Sequence, residues 1–218
     1  MRPCVYIIDF EGSLASGVVE YGCVVLSGAC EIVETHTRLC KPQAPILLHE
    51  SQCHGIFNQD VSTCASFTED LEYFTTAHQR GVFCAHNAVF ENQLLSRYCP
   101  LPPVNSALCL SEDKLAWGPW LDTYGLYKRW LPAKTDCKLE QLILRYALEG
   151  ELNVWAEKYC PPQRRHYHCA LYDALASTLL LANFLHMPEH RDKGISWLIA
   201  YSSLGAKSFN DRLQTSFF

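Results

Sequence analysis

No apolar run in these 218 residues reaches the roughly 18 needed for a membrane-spanning helix, so no membrane partner is expected. The N-terminal apolar stretch is broken at Asp9 after only a few residues, which speaks against an ordinary signal peptide. The chain has neither an internal repeat nor a low-complexity tract. Its 12 cysteines are scattered without one CxxC pair, and a chain of this length needs no disulfide staples. Reduced thiols and a cytoplasmic location are the expectation. Cys160, His166, His168 and Cys169 have the residue types for zinc, but His168 adjoins Cys169, which is not a recognised ligand spacing. A large basic patch is also missing, and the net charge of -5 disfavours binding along extended duplex nucleic acid.

What is present is a chain that is 49% hydrophobic, enough to bury one good core. Strands are expected at 4–10, 18–27 and 30–39 as an antiparallel meander, ended by the proline-rich stretch at 41–45. A helix at 67–79 leads to a strand at 81–85, and helices follow at 88–98, 122–131, 138–148 and 169–186. Asn87, Asp122 and Asp136 read as helix N-caps. Strands first and helices later, with one βαβ crossover, describe an α/β fold with a mixed central sheet flanked by helices.

Three stretches carry groups that make chemical sense together. In VYIIDFEGS, Asp9 and Glu11 stand two apart at the end of an apolar strand, so both carboxylates point to one face. Gly12 is expected to end that strand and to let backbone approach a ligand. In CAHNAVFEN, Glu91 falls in the first turn of a helix; in HCALYDALAS, Asp173 does the same, with His168 on the incoming loop. Taken singly, each of these is an ordinary strand-end, helix-start or loop residue. If they meet, four carboxylates and an imidazole make a site for two divalent cations with a base beside them, which is phosphodiester chemistry.

The order and company of these stretches resemble the three motifs of the DnaQ-like, or DEDDh, 3′–5′ exonucleases. That superfamily includes the proofreading epsilon subunit of bacterial replicative polymerase, RNase T and oligoribonuclease. VVEYGCVVL at 18–26, CHGI at 53–56 and LDTYGLYKRWLP at 121–132 match further family segments in the right order. The resemblance runs from about Cys4 to His186. One position departs from it: the second motif usually ends in Asp, where this chain has Glu91.

The resemblance implies a ribonuclease H-like domain over residues 1–190 and a C-terminal tail over 191–218. It implies Mg2+ or Mn2+, two per site, held by Asp9, Glu11, Glu91 and Asp173, with His168 as general base. The substrate would be a single-stranded DNA or RNA 3′ end, released as nucleoside 5′-monophosphates. Phe10, His54, Phe57 and Phe90 are candidates for stacking on the last base. Gly12, Ser13 and Asn87 complete the expected substrate-binding set. Arg164 and Arg165, with Lys128, Arg129, Lys134 and Lys138, are the local candidates for phosphate contact. Two other classes stay open: a catalytically weakened homologue that binds nucleic acid without cutting it, and a zinc-stabilised interaction module. Beyond the resemblance, Gln214 to Phe218 look like the short glutamine-and-two-apolar motif by which bacterial replication proteins dock on a sliding clamp.

Overall fold

The computed structural model describes residues 4–28, 31–103 and 115–203, so Gln214 to Phe218 lie outside the described residues. Strands β1 (Cys4–Ser13), β2 (Gly17–Leu26) and β3 (Ile32–Leu39) form the expected antiparallel meander. On the other side of β1, β4 (Gly81–Ala85) and β5 (Trp120–Asp122) run parallel to it. Among the described residues the sheet has five strands in the order β3-β2-β1-β4-β5. Helices α1 (Leu48–His54), α2 (Leu71–Arg80), α3 (Ala88–Tyr98), α4 (Thr123–Trp130), α5 (Leu139–Arg145), α6 (Glu149–Tyr159), α7 (Ala170–His186) and α8 (Ile195–Ser202) surround it. This is a mixed sheet flanked by helices, a ribonuclease H-like arrangement.

Alternation along β1 divides the interior in two. Ile7 packs with Val24 and with the apolar side chains of α7, while Ile8 and Phe10 turn to the opposite face against α2 and α3. Helix α7 is buried along most of its length because its residues 170–181 are almost all apolar or small. The second core is aromatic: the Phe10 ring lies 5.4 Å from Phe67 and 5.7 Å from Phe74. Burying a ring of this size is worth roughly 1.5–3 kcal/mol.

Several expectations need correction. β1 does not end at Gly12: a bulge between Glu11 and Gly12 carries it on to Ser13. Gly12 takes φ +127°, and a Cβ there would sit 2.1 Å from the Gly17 carbonyl oxygen, so its close approach is to the neighbouring strand. The helix at 67–79 is a 3-10 turn (Phe67–Asp70) followed by α2. The helix at 138–148 stops at Arg145, because Ala147 takes φ +53°, and α6 begins two residues later. Asp136 is not the cap of α5; its carboxylate accepts the Lys138 N–H (3.0 Å) just before the helix, whereas Asp122 does cap α4 through the Gly125 N–H (3.3 Å). Asn87 holds the N-cap position of α3, yet its side chain makes no capping bond.

The packed body also extends past residue 190. α8 lies against α4 and β5, Ser202 Oγ accepts the Asp122 N–H (3.2 Å), and Arg129 donates to the Ser203 carbonyl (2.7 Å). The first part of the expected tail is therefore structural, through Ser203.

One contact sets the position of α7. A Cβ on Gly22 in β2 would lie 2.3 Å from the backbone carbon of Ala170 and the nitrogen of Leu171. Only glycine lets the start of α7 rest on the strand. We expect Gly22→Ala to destabilise the protein by about 3 kcal/mol or more, the upper end of overpacking costs, since backbone rather than a flexible side chain must yield. Urea denaturation of the two proteins measures it; equal midpoints would show that the contact is not tight.

Candidate active site

β1 pairs with β4 only from Cys4 to Ile7, so the half of β1 that carries Asp9 and Glu11 runs on beyond the last rung of that ladder. Both residues face α7, because their antiparallel partners Gly22 and Glu20 share that face. The helix start resting on Gly22 brings Asp173, in the first turn of α7, over the same spot. From the other side, α3 begins directly after β4 and carries Glu91 in its first turn. Crevices at the C-terminal ends of parallel strands are where open α/β sheets place ligands.

Oxygens of Glu11 and Asp173 and a ring nitrogen of His168 all lie within 4.8 Å of one another, the group among the described residues with metal-ligand geometry. Asp9 and Glu91 stand outside that mutual distance but within reach of its charge. Burial first, then the charges of Asp173, Glu11 and Glu91, hold the Asp9 carboxyl well above the usual carboxylate range. Burial, with the charges of Asp173 and Glu20, pushes Glu11 up to about 8. Burial raises Glu91 as well, helped by Asp122 and Glu11. Asp173 rises to about 7 through burial and is held back by accepting the His168 N–H (2.9 Å). Glu91 Oε2 and Asp173 Oδ1 are buried with no hydrogen-bond partner in the protein.

These are the marks of a cation site. Buried carboxylate oxygens left unpaired beside like charges are costly unless a positive ion joins them, and hard divalent cations prefer oxygen donors. The residues present therefore fit Mg2+ or Mn2+. The zinc alternative does not gather: Cys169 Sγ lies 3.4 Å from His166 Nδ1, but among the described residues no group of three ligands forms with Cys160.

His168 is exposed on its loop, with φ +62° at its own backbone. Phe57 is 43% exposed and Phe90 half-buried, so rings at both positions can be reached from outside. Phe10 cannot: it is 3% exposed in the core on the far face of the sheet, because i and i+1 residues of a strand point to opposite sides. His54 offers no stacking face either, being 2% exposed with Nδ1 accepting the Ile56 N–H (3.1 Å). Ser13 spends its hydroxyl on the β1–β2 turn, accepting the N–H groups of Ala15 and Ser16 (3.0 Å each). Asn87 is exposed, in the left-handed conformation (φ +78°), with its N–H held by Asp122 (2.9 Å).

Arg164 and Arg165 are not free to meet phosphate. Arg164 binds the Glu20 carboxylate with two nitrogens, at 3.0 and 2.5 Å, and Arg165 donates to the carbonyls of Cys160 and Glu157. Glu20 and Gly22 went unassigned as functional positions in the sequence. The signal was there for Glu20, a charge in the middle of VVEYGCVVL, a strand buried at all ten positions from Gly17 to Leu26.

The raised carboxyls give a signed pH dependence. A carboxyl whose folded pKa lies above its unfolded value takes up protons on folding, so it favours the fold at low pH and costs stability as pH rises through the folded value. With Glu11 near 8 and Asp173 near 7, chelator-treated protein should lose melting temperature steadily between about pH 5 and 8. Mn2+ should restore it, and by more at pH 8 than at pH 5. Differential scanning fluorimetry with and without EDTA checks this; a melting temperature indifferent to Mn2+ at pH 8 contradicts the cation site.

No protein-family model matches the sequence, and no curated protein does. Among solved structures the chain is similar to Exonuclease X in complex with a 5′-overhanging duplex DNA, with 22% identity over 91% of this chain and 99% of that one, at a TM-score of 0.64. It is similar to the nuclease domain of 3′hExo, a DEDDh family member bound to rAMP, with 16% identity over 84% and 92% of the two chains, at a TM-score of 0.57. It is similar also to E. coli exonuclease I in complex with an oligonucleotide, with 12% identity over 87% of this chain and 42% of that one, at a TM-score of 0.61. The chain has the ribonuclease H-like fold of these exonucleases.

Proposed function

We propose that this protein is a divalent-metal-dependent 3′–5′ exonuclease, which hydrolyses the terminal phosphodiester of a single-stranded nucleic acid and releases nucleoside 5′-monophosphates. The observation that carries the reading is the cluster of Glu11, Asp173 and His168 at one end of the sheet, with the buried carboxyls of Asp9 and Glu91 near enough to feel its charge. The fold it shares with known exonucleases supports it. Those neighbours are described with DNA in one case and a ribonucleotide in another, so both DNA and RNA 3′ ends belong in the test.

Asp9, Glu11 and Asp173, with Glu91 in support, would hold two cations such as Mg2+ or Mn2+. When bound, these supply Lewis acidity to the phosphate and to the attacking water. The protein's own groups do the rest. A ring nitrogen of His168 sits near Glu11 and Asp173, where it takes the proton of the attacking water. Its exposure lets it pass that proton on to solvent. Phe57 and Phe90 hold the last base by stacking, worth about 1–3 kcal/mol per base and tolerant of sequence. Glu91, in the first turn of α3, is buried with Oε2 unpartnered, which leaves that oxygen open to a cation.

Digestion of 3′- and 5′-labelled single-stranded DNA and RNA tests the reading. Shortening from the 3′ end that EDTA stops is expected; purely internal cuts, or activity that survives chelation, would sink it. His168→Ala should lose about 100- to 10,000-fold in rate while still binding metal and substrate, since a base is removed and the charges stay.

Glu91→Asp should keep substantial activity and Glu91→Ala should not. Undiminished turnover of the alanine variant would show that this carboxylate is not part of the site.

A further inference from the structure

We infer that Arg164 is a positioning residue for His168: with Glu20 it forms a latch that fixes the backbone on both sides of the proposed base. The inference rests on the exonuclease reading for its catalytic consequence, though not for its structural one.

The arginine reaches four acceptor oxygens on three residues from separate parts of the chain. Nε and Nη2 donate to the two oxygens of Glu20 in β2 (3.0 and 2.5 Å). Nη1 donates to the His54 carbonyl at the end of α1 (2.7 Å), and Nη2 also donates to the carbonyl of His168 itself (3.3 Å). Glu20 completes the latch by accepting the Ala170 N–H (2.9 Å), the first residue of α7. The pair is well shielded, with side-chain exposures of 16% for Arg164 and 4% for Glu20. A bidentate guanidinium–carboxylate pair in such surroundings is both stronger and more directional than a surface ion pair.

His168 needs such a device. Its backbone is in the left-handed region (φ +62°), which a non-glycine residue holds only when neighbours fix it. The His168 carbonyl is held by Arg164, its N–H by Asp173 (2.9 Å), and the Ala170 N–H by Glu20. The imidazole makes no hydrogen bond of its own among the described residues, so its direction follows from the backbone beneath it. The same latch ties β2, the end of α1 and the start of α7 together around Glu11 and Asp173.

Arg164→Lys is the informative variant, because it keeps a positive charge beside Glu20 and loses the fork that reaches three residues at once. Mutating the outer partners that orient metal-site residues typically costs about 10- to 100-fold in activity, and we take the same scale for a group that orients the base beside them. We expect kcat on a labelled 3′ end to fall by that factor, with KM within about threefold of wild type. In a His168→Ala background, Arg164→Lys should cost no more than about a further twofold, since the group it positions is gone. Hydrogen–deuterium exchange should show faster exchange at residues 166–170, with β1 and β2 unchanged. Equal kcat in Arg164→Lys and wild type overturns the catalytic part, and so does a full independent loss in the His168→Ala background. Unchanged exchange at 166–170 overturns the latch itself. If wild type shows no nuclease activity while exchange still rises in the variant, the exonuclease reading fails and the latch stands.

Discussion

The start of α7 rests on the bare backbone of β2 at Gly22, and the arrangement of the site follows from that contact. Because the helix comes down there, Asp173 in its first turn stands over Asp9 and Glu11 of the adjacent strand. The same approach brings the Ala170 N–H to Glu20, so the strand that receives the helix also fastens its first residue. Helix α7 buries its apolar length against the sheet, and that large hydrophobic contact holds the carboxylates together against their mutual repulsion.

That opposition is the central energetic feature of the molecule. Four carboxylates pressed together in low-dielectric surroundings repel one another and lose hydration. In two of them, Glu91 and Asp173, one oxygen finds no hydrogen-bond partner in the protein. The fold bears this cost with two cores, one beneath α7 and one of interlocking rings around Phe67 and Phe74. A divalent cation would turn the repulsion into coordination, so the arrangement that weakens the metal-free protein is also what fits the proposed metal site.

Glu20 shows how a fifth carboxylate on the same face escapes that role. It lies opposite Glu11 across the β1–β2 ladder, yet Arg164 covers both its oxygens. The neighbouring Glu11 feels the Arg164 charge but forms no ion pair with it, and keeps an oxygen within 4.8 Å of Asp173 and His168. One acid is paired by the arginine and the other is left open beside Asp173 and His168, and the difference is the reach of a single side chain.

The sequence by itself determined what depends on local pattern. The apolar run of β1 with Asp9 and Glu11 two apart, the strand and helix around Asn87, and the uniformly apolar α7 with Asp173 in its first turn were all legible, because period and capping are short-range properties. The meander of β1, β2 and β3 followed from the same signals. Tertiary structure alone decided the rest. Phe10 went to the far core because β1 alternates, Arg164 was drawn to Glu20, 144 positions away, and α8 joined the body by packing on α4 and β5. Short elements such as β5 and α1 gain their stability from neighbours rather than from their own residues, so a window along the chain carries little trace of them. Which carboxylates stay open and which are paired is likewise a matter of distance between segments, and distance between segments is what packing supplies.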